Sequence, residues 1–138
     1  MRHILVDSGP LVALFDASDS HHRRAVEVIQ GARGVLLTNA AVITEVCHLL
    51  DFAGGRPRVD FLGWAERALQ IDGPEREDLP RARQILVKYA DLPADFTDAS
   101  LVRLAERRGV KEILTVDRDF EVYRTLSRRS LRNRFFDG

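Results

Sequence analysis

The stretch HILVDSGP, residues 3–10, carries the clearest indication of the fold class of this chain. Its first four residues form a short apolar run, which is typical of a strand buried on both faces of a parallel sheet. Asp7 follows this predicted strand directly. Pro10 is well placed as the first residue of a helix, because the first amide groups of a helix are unpaired and proline has no amide hydrogen. The stretch therefore predicts a buried strand, a polar turn and a helix.

The same alternation of short apolar runs with amphipathic segments continues along the chain. Further strands are predicted at 34–38 and 112–116, and Ile71 is a candidate for a short strand between them. The helices predicted between the strands begin or are capped at these residues: Asp19 or Ser20, Asn39, Pro57, Arg76 and Thr97. This order predicts an α/β fold, a three-layer α/β/α domain with a short, mostly parallel central sheet.

Length and composition restrict the class of protein. The 138 residues are 45% apolar and 30% charged, which is the composition of one globular domain spanning residues 1–138. The 21 basic and 21 acidic side chains cancel, so the total charge gives no sign of a strongly basic nucleic-acid binder. The single cysteine excludes an internal disulfide framework. No apolar run approaches the roughly 20 residues of a membrane span and no signal peptide is recognised, so we expect a cytoplasmic protein without a membrane partner.

Arginines are concentrated at the end of the chain. Within 122–138 only Asp137 opposes the following basic residues: Arg124, Arg128, Arg129, Arg132 and Arg134. A guanidinium group suits bidentate contact with phosphate. A solvated arginine-rich surface without any ligand is an equal alternative.

Two aspartates follow predicted strands. Asp7 comes after the strand at 3–6, and Asp117 comes after the strand at 112–116. In open parallel α/β sheets, ligands bind in the crevice beyond the carboxyl ends of the strands. Both residues are therefore candidates for a functional site at that edge. The alternative is that each only caps a helix, which is a frequent role of aspartate.

Two further carboxylates are predicted on the apolar faces of helices. Glu45 lies beside Val42 and Val46 at helical spacing, and Asp98 is followed at the same spacing by Leu101. A carboxylate on an inward face needs a partner, because a buried unpaired charge is costly. The alternative to a functional role is an internal salt bridge with an arginine.

The four carboxylates together suggest a chemistry. Two like charges about 4 Å apart repel by roughly 4 kcal/mol at an effective dielectric of ~20, so such a cluster needs protonation or a cation. Ligand sets made only of oxygen favour Mg²⁺ or Mn²⁺. Ions held in this way can activate water and stabilise charge on a phosphodiester. The pattern is therefore typical of metal-dependent phosphodiester hydrolysis.

The same positions carry a family resemblance. The motifs are ILVDSGPLVALF at 4–15, TEV at 44–46, DFTDASL at 95–101 and LTVDRDF at 114–120. In this order and spacing, from about Ile4 to Phe136, the chain resembles PIN-domain ribonucleases, most closely the VapC toxins of toxin–antitoxin pairs.

The resemblance implies roles for individual residues. The catalytic residues and the ligands of Mg²⁺ or Mn²⁺ would be Asp7, Glu45, Asp98 and Asp117, acting in endonucleolytic hydrolysis of RNA. Supporting residues would be Ser8, Asp95, Thr115 and Asp119. Arginines that could steer the RNA backbone are Arg118, Arg124, Arg128 and Arg129. The resemblance also implies a VapB-like antitoxin as partner and a homodimer.

Two other functions remain open at this point. An aspartate after the first strand also occurs in folds that form an aspartyl-phosphate, but no second acid stands two residues after Asp7. The other alternative is a non-catalytic PIN-like domain that binds RNA or protein. His21 and His22 are not at metal-ligand spacing, and we expect them on the exposed first turn of a helix.

Overall fold

The computed structural model describes residues 1–137. Its five strands form one sheet in the order β3-β2-β1-β4-β5, and every pairing of neighbouring strands is parallel. The strands are β1 (His3–Val6), β2 (Val35–Thr38), β3 (Leu69–Ile71), β4 (Glu112–Leu114) and β5 (Arg132–Asn133). The predicted α/β class and parallel sheet are confirmed.

Six α-helices connect the strands. They are α1 (Ser8–Phe15), α2 (His22–Gln30), α3 (Ala40–Leu49), α4 (Arg56–Ala68), α5 (Leu79–Lys88) and α6 (Phe96–Arg108). Short 3-10 turns lie at Asp51–Ala53, Arg76–Asp78 and Arg118–Glu121. Right-handed connections that run first to one side of β1 and then to the other place helices on both faces of the sheet. Within residues 1–137, no helix has the length and apolar character that crossing a membrane requires.

Strand β1 is the centre of the core. Leu5 pairs with Leu37 of β2 on one side and with Ile113 of β4 on the other, and none of the three side chains is exposed to solvent. A strand with neighbours on both edges and helices on both faces has no polar surface to contact. This explains why the residues of β1 form a continuous apolar run in the sequence.

The chain changes direction across the sheet between β1 and β4. Strands β2 and β3 lie on one side of β1, and β4 and β5 lie on the other. The backbone amide of Asp7 donates to the carbonyl oxygen of Leu114 at 3.0 Å, so the ends of β1 and β4 are joined. Ligands of open α/β sheets bind at such a switch point. The predicted carboxylates belong to this edge.

Several helix starts differ from their predicted positions. Helix α1 begins at Ser8, and Pro10 lies within its first turn, where its missing amide hydrogen is still not needed. The carboxylate of Asp19 accepts from the amide of His21 and shapes the preceding turn, and α2 begins only at His22. The cap of α6 is Asp95 and not Thr97.

The second half of the sheet also differs from the prediction. Strand β4 ends at Leu114, because the next residue, Thr115, forms its backbone hydrogen bonds with the side chain of Asn133. The amide of Thr115 donates to Oδ1 of Asn133 at 3.3 Å, and Nδ2 of Asn133 donates to the carbonyl oxygen of Thr115 at 3.0 Å. Strand β5, which contains Asn133, was not predicted because its two residues lie in the arginine-rich segment. His21 and His22 are half-buried and not exposed as expected.

Candidate active site

Asp7 is the most buried of the four predicted carboxylates, with 5% of its surface exposed. It caps α1, and its Oδ1 accepts from the amide of Ser8 at 2.8 Å, so Asp7 has the capping role considered for it, and its functional role stays a prediction. Its Oδ2 accepts from the hydroxyl of Thr115 at 2.7 Å. Burial raises the pKa of Asp7 to about 6, against the effect of these two hydrogen bonds. Repulsion from Glu45 and Asp117 adds to the rise.

Glu45 reaches the site from α3. Its Oε1 accepts a hydrogen bond from the hydroxyl of Ser8, which also lies 3.5 Å from Oδ1 of Asp7. Ser8 therefore connects the carboxylates of Asp7 and Glu45. Its supporting role in the function stays a prediction.

The start of α3 is tied to α6. The side chain of Asn39 caps α3 by accepting from the amide of Val42 at 3.1 Å, and its amide nitrogen donates to the hydroxyl of Ser100 at 2.9 Å. Both polar side chains are buried. The capping role of Asn39 was predicted, but its bond to a residue 61 positions away was not.

Asp98 lies in the first turn of α6. It forms a capping box with Asp95, in which each side chain accepts from the other residue's amide, at 2.9 and 3.2 Å. Its Oδ2 also accepts from the hydroxyl of Tyr123 at 3.4 Å. Burial raises the pKa of Asp98 to about 8, and repulsion from Asp95, Asp7 and Asp117 adds to it. Asp98 therefore lies within electrostatic reach of the carboxylates at the ends of β1 and β4.

Asp117 is held by the same hydroxyl that contacts Asp7. The amide of Asp117 donates to Oγ1 of Thr115 at 2.9 Å, and this hydroxyl in turn donates to Asp7. Oδ1 of Asp117 accepts from the amide of Asp119 at 2.9 Å and caps the 3-10 turn. Thr115 thus connects the two strand-end aspartates, whereas Asp119 supports Asp117 through its backbone.

None of the four carboxylates has a cationic partner among residues 1–137. The salt bridges of this part of the chain all involve other acidic residues. The predicted alternative of an internal salt bridge for Glu45 and Asp98 is therefore wrong. Their ionised forms are stabilised only by hydrogen bonds, and negative charges on these carboxylates repel one another.

The donor set suits a hard divalent cation. It consists of carboxylate oxygens, with serine and threonine hydroxyls beside them, and lacks sulfur and imidazole. Within the described residues, no group of three or more Asp, Glu, His or Cys side chains lies close enough together to hold a metal ion. Binding of a cation by several of these carboxylates would therefore require their side chains to move closer together.

Tyr123 and Asn133 are parts of this site that sequence reasoning missed. The Tyr123 ring is buried against Phe120 and Tyr89, with centroids 5.1 and 5.2 Å away. Burial and the nearby carboxylates raise the pKa of its phenol, so it is a hydrogen-bond donor at neutral pH. Both residues lie within 122–138, where the sequence analysis identified only the arginines as candidate functional residues.

The four arginines proposed to steer RNA occupy different places. Arg118 directly follows Asp117, and its side chain is largely exposed. The guanidinium of Arg124 is occupied by backbone carbonyl oxygens, including those of Val122 and Tyr123 at 2.8 and 3.2 Å.

Arg128 and Arg129 lie at the other end of the sheet. They belong to a turn closed by a hydrogen bond between Arg128 and Thr125, and Arg129 lines a cavity with Lys111 just before β4. This is the amino edge of β4, opposite to the carboxylates. Arg128 and Arg129 therefore do not lie beside the carboxylates, and their role in steering RNA stays a prediction.

Comparison with known proteins gives consistent matches. The family model described as the PIN domain matches residues 4–126. Ribonuclease VapC26 of Mycobacterium tuberculosis (strain ATCC 25618 / H37Rv) is 27% identical over 129 residues, covering 83% of this chain and 87% of that protein. The crystal structure of VapC20 of Mycobacterium tuberculosis, a toxin that cleaves the sarcin–ricin loop, superposes with a TM-score of 0.79. That likeness covers 86% of this chain and 93% of VapC20 at 24% identity, which shows a shared fold.

Proposed function

The chain belongs to the PIN-domain family, and on this premise we propose that it is an endoribonuclease that hydrolyses RNA phosphodiester bonds at Asp7, Glu45, Asp98 and Asp117. The observation that carries the proposal is the convergence of these carboxylates at one edge of the sheet without a cationic partner. VapC26 is a ribonuclease and VapC20 is a toxin that cleaves the sarcin–ricin loop, and the similarity to both supports RNA as the substrate.

Mg²⁺ or Mn²⁺ is the cofactor that this proposal requires. The four carboxylates would hold it, because their oxygens suit a hard ion and because their mutual repulsion would be relieved. When bound, such an ion supplies Lewis-acid stabilisation of the phosphoryl group and lowers the pKa of water.

The chain's own contribution is to orient the carboxylates. Thr115 holds Oδ2 of Asp7, and Ser8 holds one oxygen of Glu45. Asp95 and Tyr123 both donate to Oδ2 of Asp98, so its Oδ1 faces no donor among the hydrogen bonds of residues 1–137. Side chains restrained in this way lose little freedom when a ligand binds between them.

Partner and location form the finer part of the proposal. We infer that the chain is the toxin of a toxin–antitoxin pair, that it binds a VapB-like antitoxin, and that it forms a homodimer in the cytoplasm. The support is the similarity to two VapC proteins. Co-expression with a VapB-like protein, followed by measurement of mass in solution, tests both associations.

Cleavage of defined RNAs in Mg²⁺, Mn²⁺ or EDTA tests the catalytic proposal. We expect cleavage with either ion and none in EDTA, and we expect Asp7→Asn and Asp98→Asn to lower the rate by about a hundredfold or more. Asp91→Asn is the matched control, because Asp91 is an exposed aspartate that takes no part in the hydrogen bonds of the four carboxylates described above. Unchanged cleavage in EDTA or in either variant contradicts the proposal. RNA binding without cleavage, unaffected by Asp7→Asn, would instead indicate the non-catalytic binding domain.

A further inference from the structure

The last residues of the chain are fastened to the loop that carries Asp117. The side chain of Asn133 bonds both backbone groups of Thr115, and its Oδ1 also accepts from the amide of Phe135 at 3.0 Å. Phe135 and Phe136 therefore lie beside the segment 115–117. This brings the end of the chain to the edge of the sheet where the carboxylates lie.

An exposed aromatic ring stands at this place. Phe136 is 43% exposed, and the guanidinium carbon of Arg118 lies 5.2 Å from the centre of its ring. The ring of His21 approaches from another side, with centroids 6.0 Å apart and an interplanar angle of 70°. We call Arg118, Phe136 and His21 the stacking platform.

The platform is anchored although it lies at the end of the chain. Phe135 is fully buried and contacts Phe136 edge to face, with centroids 5.0 Å apart. Nε of Arg24 donates to the carbonyl oxygen of Phe135 at 2.7 Å, and the same guanidinium donates to the carbonyl oxygen of Asp137. The backbone is thus fixed at the residues before and after Phe136, and this restrains the position of the exposed ring.

The chemistry of the platform fits an unpaired nucleobase. Bases that are splayed out of a single strand stack on aromatic rings and on arginine guanidinium planes, and an adjacent positive charge favours the phosphate beside them. Bases within a duplex are already stacked and paired, so they gain less from such a surface. The platform and the carboxylates together offer a base contact and a phosphate contact on one strand.

We propose that Phe136 and Arg118 form a subsite that stacks an unpaired base of the RNA next to the acidic site. This inference rests on the proposed function for the identity of the ligand, and it assigns one base contact of that RNA to two named side chains. It also gives Arg118 a role that Arg124, Arg128 and Arg129 do not share.

Binding of a fluorescent single-stranded RNA containing 2-aminopurine tests the subsite. The parent protein in this comparison carries Asp98→Asn, and every variant is made in that parent. Binding is measured with Mg²⁺ present, and the RNA is not cleaved because Asp98 is absent. We expect Phe136→Ala to weaken binding by about tenfold and to reduce quenching of the 2-aminopurine, whereas Phe136→Tyr preserves both. Phe52→Ala is the matched control, because Phe52 is an exposed phenylalanine of a different segment, and we expect it to bind like its parent.

Cleavage kinetics in the background with Asp98 intact add a second readout. We expect Phe136→Ala to raise KM about tenfold with little change in kcat, and a fully paired duplex to be a poor substrate. Equal affinity of Phe136→Ala and its parent, or an equal loss in Phe52→Ala, overturns the inference. A change in the mass of the protein in solution without a change in RNA affinity also overturns it, because the ring would then serve a protein contact. Binding that depends on Phe136 without any cleavage refutes the proposed catalysis and leaves the subsite standing.

Discussion

One threonine hydroxyl joins the two aspartates at the strand ends. Oγ1 of Thr115 donates to Asp7 and accepts from the amide of Asp117, so its single hydrogen has a defined direction. The residue is fully buried. Removing the hydroxyl would leave a buried carboxylate oxygen without its donor, which is more costly than the loss of an exposed hydrogen bond.

Substitution of this residue gives a test at a single atom. We expect Thr115→Val, which keeps the shape of the side chain, to lower RNA cleavage by about 10- to 100-fold and to raise the Mg²⁺ concentration needed for half-maximal rate. Thr115→Ser retains the hydroxyl and should keep most of the activity. Equal rates for the valine and serine variants would show that the hydroxyl does not orient Asp7.

The raised pKa values of two carboxyls predict how stability depends on pH. The pKa of Asp7 is about 6 and that of Asp98 about 8, whereas an unfolded carboxyl titrates near ~4. Between these values the native state holds protons that the unfolded state has released, so the free energy of unfolding falls as pH rises. The carboxyls whose pKa arginines lower, Asp72, Asp78 and Glu112, stay ionised throughout this range and do not contribute.

Thermal unfolding in EDTA measures this dependence. We expect Tm to fall by about 5 °C between pH 5 and pH 8, because Asp7 and Asp98 release over this range the protons that they hold in the native state. Asp98→Asn should reduce the fall and raise Tm at pH 8, and exposed Asp91→Asn should behave like wild type. A Tm that rises with pH over this range in wild type would contradict the pKa directions.

At the scale of elements, the site depends on how closely α1 approaches the loop after β4. A Cβ placed on Gly9, in the first turn of α1, would lie 2.4 Å from Cγ2 of Val116. That is far inside van der Waals contact. Glycine is therefore required here for close packing, so that Asp7 and Thr115 can meet.

A double-mutant cycle tests this contact. We expect Gly9→Ala to lower the free energy of unfolding by about 1–3 kcal/mol through overpacking. The same change made together with Val116→Ala should cost clearly less than the sum of the two single changes, because the colliding methyl group is then absent. Strict additivity in chemical denaturation would show that α1 avoids the clash by moving elsewhere.

Across the whole molecule, the zero net charge conceals two populations of acidic residues. Many carboxylates pair with arginines away from the site, including Asp78 with Arg103 at 2.9 Å and Glu106 with Arg81 at 2.8 Å. The four site carboxylates have no such partner within residues 1–137. Total charge therefore says little about whether the protein meets a polyanion, since the position of each charge is what matters.

The C-terminal segment completes the sheet and the core of the whole domain. We expect Phe135→Ala to lower the free energy of unfolding by about 3–5 kcal/mol, because the side chain is fully buried. Phe136→Ala should cost much less, since that ring is half exposed. Urea denaturation of the two variants compares neighbouring residues of the same type. Equal losses would show that the two rings contribute alike to the core.

Hydrophobic periodicity was enough to predict the parallel sheet and the position of β1, and the order of motifs selected the four carboxylates proposed as the site. These features are local, because the apolar run and the aspartate that follows it are adjacent in the chain. Helix starts were predicted less well. Asp95 and Thr97 are both good caps by composition, and the capping box with Asp98 decided between them.

The contacts that make a site of these residues depend on folding. Thr115 and Asp7 are 108 positions apart, and Asn133 joins a two-residue strand to a loop through one side-chain amide. Such bonds leave no periodic trace in the sequence, because each depends on two segments that only packing brings together. The amino-acid order was therefore sufficient for β1, β2 and β4 and for the choice of candidate acids, because these features are local. The fold alone added β5 and placed Tyr123, Asn133 and the ring of Phe136 near those acids, since proximity between distant residues is a property of the packed chain.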